Sequence, residues 1–195
     1  YGLRGGEVKN LDLIDRRIII LGGSVTLGWG VEEKSTMSSL LEEFFKKDGK
    51  NVEVLNAGIG NYNAERYVER FFENLAVLEP TDIIVNYFLR DAEILSPAKP
   101  NYFLKNSQLA LTLWIASNRI SNIRVNNSVY QHYNRVYENT ESKNMMKRSL
   151  KRLSDYARSN DINTYMIITP DITSISNYKL NNIHEYIKNI ANNLG

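Results

Sequence analysis

The side chain best placed for chemistry is a serine at the end of an apolar run. Arg17-Ile18-Ile19-Ile20-Leu21 breaks into Gly22-Gly23-Ser24-Val25-Thr26, so a buried strand ends there and Ser24 sits on the turn. Open parallel sheets bind ligands outside the carboxyl ends of their strands, which is where a serine nucleophile acts. Gly22 and Gly23 allow a tight turn and close approach of a substrate, and the amides after the turn can point at a developing oxyanion. The plainer alternative is that Ser24 only caps the next helix or shapes the turn. Other glycine motifs fit poorly. A P-loop needs Lys-Ser or Lys-Thr after its last glycine, but Gly28 is followed by Trp29-Gly30. The glycine spacing of a dinucleotide fingerprint is missing, and Thr26 stands where a nucleophile elbow has its second glycine.

Fewer side chains elsewhere invite a chemical role. Asp91 and Glu93 follow the apolar run at 82–88, with Arg90 just before them. The two histidines, His132 and His184, lie in segments that read as helix or surface elaboration, so each reads as structural or exposed rather than as a general base. Trp29, Tyr62 and Asn63 have the chemistry to stack on or hydrogen-bond a sugar, or else serve as packing and caps. Asp82 reads as a strand-entry residue, and Asp171, after Pro170, as a weaker site-lining acid.

The elements that must position these residues alternate. Residues 17–21, 51–56, 82–88 and 163–169 are short and rich in Ile, Val or aromatic residues, as strands are. The spacing predicts a helix over 35–47, with Met37, Leu40, Leu41, Phe44 and Phe45 on one stripe and Thr36 or Ser35 as N-cap. A second spans 63–78 through Tyr67, Phe71, Leu75 and Leu78, ended by Pro80. No strand signal interrupts 97–160, where 103–120 and 140–159 read as helices joined by an Asn-rich connection. A last amphipathic helix covers 178–194, with Leu180, Ile183, Ile187, Ile190 and Leu194 on its apolar side. This alternation predicts an α/β fold, a parallel sheet covered by helices on both faces. It is read as one domain over 1–195 with a helical excursion at about 97–160. An α/β domain ending on a helix after four strands reads as truncated, because a fifth strand would cover the far edge.

Composition narrows the partners. At 195 residues and 43% hydrophobic content the chain suits one globular domain with a substantial core. A net charge of +2 gives no general reason to expect nucleic-acid binding. The absence of cysteine excludes disulfides, cysteine catalysis and thiolate metal sites. No apolar run is long enough to span a membrane, and no cofactor or metal is implied.

Taken in order, these segments resemble the SGNH hydrolases, also called the GDSL esterase and lipase family. Leu21-Gly22-Gly23-Ser24-Val25-Thr26 is similar to the family's serine block, with Gly23 in place of the usual aspartate. Asn56-Ala57-Gly58-Ile59-Gly60-Asn61-Tyr62-Asn63 is similar to the second block, with Asn61 in the register of the oxyanion glycine and Gly60 just before it. In the third block, Arg90 stands where the family has its oxyanion asparagine, followed by Asp91. Tyr1-Gly2-Leu3-Arg4-Gly5 looks like a lead-in that precedes the domain in some members. No Asp-x-x-His follows Ile167-Ile168-Thr169-Pro170, and the resemblance puts that pair one strand beyond the last helix, past Gly195.

The resemblance implies a three-layer α/β/α, flavodoxin-like fold lacking its last strand and catalytic loop. It implies a Ser24 acyl-enzyme acting on a small-molecule or carbohydrate ester, O-acetyl esters of bacterial envelope polysaccharide by analogy, as hydrolase or acyltransferase. A periplasmic or envelope location follows from it, with the cytoplasm as alternative. The amides of Ser24 and Asn61 would hold the oxyanion, with Gly23, Gly60, Arg90 and Asp91 around it. Arg90 is either an altered electrophile or a mark of lost activity. Two rivals remain. One is a non-catalytic carbohydrate-binding relative; the other is a flavodoxin-like binding domain in which Asp91, Glu93 and the first loop hold a metal or phosphate.

Overall fold

Every expected strand forms within a residue of its expected ends. The computed structural model describes residues 1–95, 107–109, 112, 129–172 and 178–194. β1 (Arg16–Gly22), β2 (Val52–Asn56), β3 (Asp82–Phe88) and β4 (Asn163–Thr169) make one parallel sheet in the order β2-β1-β3-β4. The register sets Ile18 beside Val54 and Asp82, and Gly22 beside Asn86. β1 is central and almost wholly buried, which is why it reads as an uninterrupted apolar run rather than an alternating one.

Among the described residues, helices form at α1 (Ser24–Leu27), α2 (Met37–Lys47), α3 (Ala64–Arg70), α4 (Val129–Glu138), α5 (Thr140–Ser159) and α6 (Asn181–Leu194). Successive strand residues face opposite sides, so the core has two parts. Ile19, Leu21, Ile83, Val85 and Tyr87 pack under α3, α5 and α6, while Ile18, Ile20, Val52 and Val54 pack under α2. The result is a three-layer α/β/α fold. N-caps are local and ordinary: Thr36 accepts from Ser39 N–H, Asn63 from Arg66 N–H and Asn139 from Ser142 N–H. No helix among the described residues is long and apolar enough to cross a membrane.

Several expectations are corrected. Leu40 and Phe44 are exposed, because the buried sheet face under α2 is narrow, Ile18, Ile20, Val52 and Val54 with Ile84 beside them, and takes from the predicted stripe just Met37, Leu41 and Phe45. The helix expected over 63–78 stops being α at Arg70, continuing as a π turn (Phe71–Leu75) and a 3-10 turn (Ala76–Leu78). There Phe71, Phe72 and Tyr156 meet edge to face at 5.3–5.6 Å, a cluster that shapes this segment more than regular helix geometry does. The last helix begins at Asn181 rather than 178. The second face of the sheet is not fully covered by the described elements, since Tyr165 and Ile167 of β4 are about half exposed. The helix expected over 103–120 lies almost wholly outside the described residues.

The end of the sheet remote from Ser24 is closed by a buried ion pair. Arg17 and Glu53 are each only 3% exposed in their side chains, with Nε to Oε2 at 2.5 Å. Arg17 also donates to the carbonyls of Leu78 and Lys9, and Lys9 N–H donates to Glu53. Removing one partner strands the other charge in a dry site. Glu53→Gln is expected to cost about 3–5 kcal/mol of stability, read as a fall in the urea midpoint. Replacing both with apolar residues, Arg17→Met with Glu53→Leu, is expected to cost distinctly less.

Candidate active site

β1 lies between β2 and β3, so the chain's crossovers leave it in opposite directions and a crevice opens at its carboxyl end. Gly22 ends the strand against its neighbours. A Cβ there would stand 2.1 Å from Thr26 Oγ1 and 2.7 Å from the Asn86 carbonyl, so no side chain fits. The chain then turns at Gly23 into α1, whose first residue is Ser24. Ser24 is exposed, and its hydroxyl has no hydrogen-bond partner among the described residues. Gly23 is the N-cap, without a side-chain bond, so Ser24 does not do the capping that its plainer reading assigned to it.

A small cleft of about 80 Å³ opens in front of this turn, lined by Gly23, Ser24, Asn61, Arg90, Asp91 and Glu93, among others. Of the residues that the resemblance sets around the oxyanion, Gly23, Ser24, Asn61, Arg90 and Asp91 line it and Gly60 does not; Gly60 is the residue just before Asn61 in the turn. Asn61 adopts φ 60°, a left-handed conformation that asparagine tolerates better than most residues. The Ser24 amide, in the first turn of a helix, has no intrahelical acceptor. A Cβ on Gly23 would meet the Tyr62 carbonyl at 3.3 Å and Asp91 Oδ1 at 3.7 Å. A side chain at this position would therefore press on the Tyr62 carbonyl and point towards Asp91.

Asp91 is 2% exposed. Its Oδ2 accepts the Phe88 N–H at 3.1 Å. Burial pushes its pKa up to about 8, against the pull of the Phe88 amide, Tyr67 and Arg90, so at neutral pH this carboxyl holds its proton. The groups facing it are Tyr67 from α3, Tyr87 from β3, Tyr137 from α4, and Arg90 and Glu93 beside it. Tyr87 and Tyr137 share a hydroxyl hydrogen bond of 2.7 Å, and Tyr137 donates to the Leu89 carbonyl at 3.1 Å. That pair braces the turn carrying Asp91. Burial raises the pKa of all three tyrosines, so they remain neutral.

Arg90 is turned to Glu93, with Nε to Oε1 at 3.1 Å and Nη2 to Oε2 at 3.2 Å. His132 Nε2 lies 2.8 Å from the same Glu93 Oε1. Burial raises the Glu93 pKa, but the bonds from Arg90 and His132 outweigh it and leave the carboxylate below its ordinary range. Neither His132 nor His184 lines the Ser24 cleft; His184 pairs with the Tyr178 hydroxyl. Tyr62 lines the cleft, whereas Trp29 is exposed and outside its lining, and Asn63 is a buried cap. Asp171 accepts from Tyr133. Among the described residues no cluster of three or more His, Asp or Glu side chains is able to hold a metal. A roomier groove of about 620 Å³, between β4, α5 and α6, carries no comparable chemistry. In sequence Tyr67 reads as part of an apolar helix stripe, and Tyr87 and Tyr137 carry no signal of a site, because buried tyrosines are indistinguishable there from core aromatics.

No protein-family model and no curated protein matches this sequence. Solved structures do. TesA superposes with a TM-score of 0.52 at 14% identity, covering 92% of this chain and 72% of that one. An acetyl xylan esterase, AlAXEase, superposes with a TM-score of 0.52 at 16% identity, covering 91% and 73%. A psychrotrophic esterase, EstA from Pseudoalteromonas sp., matches at 15% identity and a TM-score of 0.44, over 80% of this chain and 63% of that one. The chain thus spans less than two thirds of EstA and under three quarters of the other two. At these identities the first two comparisons establish a shared fold.

The neutral Asp91 has a measurable consequence. The unfolded chain releases this proton near the ordinary carboxyl value of 3.8, the folded chain at about 8. Stability from the neutral form is full below about pH 4 and is lost as pH rises through about 8. Asp91→Asn removes that slope. Relative to the parent, the variant is expected to gain up to about 4 kcal/mol between about pH 5 and pH 8, read from urea midpoints at both values.

Proposed function

We propose that this chain is the nucleophile-bearing part of an SGNH-type esterase, in which Ser24 attacks the carbonyl of a short-chain ester. The observation that carries the reading is the cleft itself. An exposed serine, whose hydroxyl has no partner among the described residues, follows the central strand, beside a left-handed Asn61 and a protonated Asp91. The fold shared with TesA and an acetyl xylan esterase supports it.

In this reading Ser24 Oγ bonds to the acyl carbon as its proton passes to a base, and the carbonyl oxygen becomes an oxyanion held by the amides of Ser24 and Asn61. The neutral Asp91 carboxyl keeps a second negative charge out of the cleft. Collapse of the oxyanion expels the alcohol, which takes up the proton, and leaves an acyl-enzyme that water or a sugar hydroxyl resolves. The small cleft suits an acyl group of about acetyl size, and an O-acetylated carbohydrate supplies one. The base in this reading is the histidine that follows the last helix in the family that the sequence resembles. Arg90, neutralised by Glu93 and pointing along the rim, binds the alcohol side of the substrate rather than replacing the asparagine donor.

A second reading has one observation in its favour: neither histidine lines the cleft. It makes the domain a carbohydrate-ester binder without turnover. The two separate cleanly. Treating the full-length protein with a serine-directed fluorophosphonate is expected to add one adduct by intact mass, absent from Ser24→Ala. Acetyl esters are expected to exceed octanoyl esters by about tenfold or more in kcat/KM. Retained binding of an acetylated oligosaccharide with no adduct would establish the binder instead.

A further inference from the structure

The N-terminal strap Tyr1–Gly6 lies far from Ser24 in sequence, yet its one cation is spent on the nucleophile turn. Arg4 Nη1 donates to the carbonyls of Leu27 (2.5 Å) and Gly28 (2.7 Å), and Nη2 to that of Val31 (2.6 Å). Leu27 is the last residue of α1 and Gly28 its C-cap, at the end whose acceptors have no helical partners and where a positive charge is favourable; Val31 lies in the turn that follows. Arg4 has no carboxylate partner among the described residues. A helix of four residues does not hold itself, so its angle to β1 is set from outside.

The strap is itself anchored to the second block. Arg4 N–H donates to the Asn56 carbonyl at 3.0 Å, a bridge antiparallel to the end of β2. Arg70, 7% exposed, donates to the carbonyls of Tyr1, Gly2 and Ala57 at 2.7–2.8 Å. Asn56 Nδ2 donates to the Thr26 carbonyl at 2.9 Å, while its Oδ1 accepts the Gly58 N–H at 3.0 Å. Gly58 sits so close that a Cβ would lie 2.2 Å from the Leu27 amide nitrogen. The strap, the end of β2 and the nucleophile turn are therefore interlocked. Asn61 follows Gly58 by three residues.

We propose that Arg4 is a positioning residue: through Leu27, Gly28 and Val31 on one side and Asn56 on the other, it sets the distance between the Ser24 turn and the Asn61 turn. The strap then acts on the site by positioning. This rests on Ser24 being the nucleophile. Loss of the clamp lets two oxyanion amides drift apart, and displacements of about 1 Å in such a site cost about a hundredfold in rate.

The test compares the full-length parent, Arg4→Ala and Arg4→Lys by the rate of fluorophosphonate labelling at Ser24, and by hydrogen exchange of the segment 22–31. In Arg4→Ala, labelling is expected to slow about a hundredfold. The amides of Gly28, Trp29 and Val31, which close this turn, are expected to exchange faster while those of α5 do not. Arg4→Lys, which retains the charge but not the fork, is expected to fall between. Methylguanidinium at a non-denaturing concentration is expected to recover part of the Arg4→Ala rate, which a general loss of stability would not allow. Equal labelling of parent and Arg4→Ala, or unchanged exchange at 27–31, would overturn the assignment while leaving the Ser24 reading intact. Failure of the parent itself to label would overturn the Ser24 reading, and this assignment with it.

Discussion

The close approach of Gly22 to β3 and to α1 governs how the site is built. With 2.1 Å to Thr26 Oγ1 and 2.7 Å to the Asn86 carbonyl from a hypothetical Cβ, the backbone at this point has neighbours where any other residue has a side chain. The strand must end, and the chain must fold back at once. That reversal buries Thr26 under the sheet's end and leaves Ser24, two residues earlier, facing outward. A helix of four residues results, too short to be stable alone. The Gly58 contact with Leu27 and the carbonyl bonds from Asn56 and Arg4 follow from the same need, to hold a short, sharply turned segment in one orientation.

Electrostatics in the cleft divide along a boundary of burial. Inside, Asp91 and the tyrosines from α3, β3 and α4 are kept neutral by desolvation, since a dry site disfavours the charged form. Outside, Arg90 and Glu93 form an ion pair in contact with water, and the His132 ring lies against the same Glu93 carboxylate. A negative charge that develops between these zones meets no ionised carboxylate on its inner side. A guanidinium at position 90 is compatible with this arrangement because Glu93 draws it to the rim, away from the buried acid.

Much of this arrangement is written in local sequence, and some of it is not. The four strands follow from short β-branched runs, and N-caps such as Thr36, Asn63 and Asn139 follow from side-chain chemistry acting over three residues. The serine turn after β1 was equally clear, because two glycines after an apolar run leave few alternatives. Leu40 and Phe44 misled because periodicity reports which residues share a helix face but not how wide the facing sheet is. The π turn at Phe71–Leu75 escaped because it answers to Tyr156, more than 80 residues away.

What the sequence by itself determined is the order of the elements, the place of Ser24 at the end of the central strand, and the left-handed tolerance at Asn61. Each depends on residues adjacent in the chain, whose conformational preferences act without help. Tertiary structure alone decided that Asp91 stays protonated, that Arg90 turns to Glu93, and that Arg4 reaches the turn behind Ser24. These depend on desolvation and on hydrogen bonds such as Arg4 to Asn56 and Tyr87 to Tyr137, between residues far apart in the chain, and such contacts exist only once the sheet has brought its strand ends together.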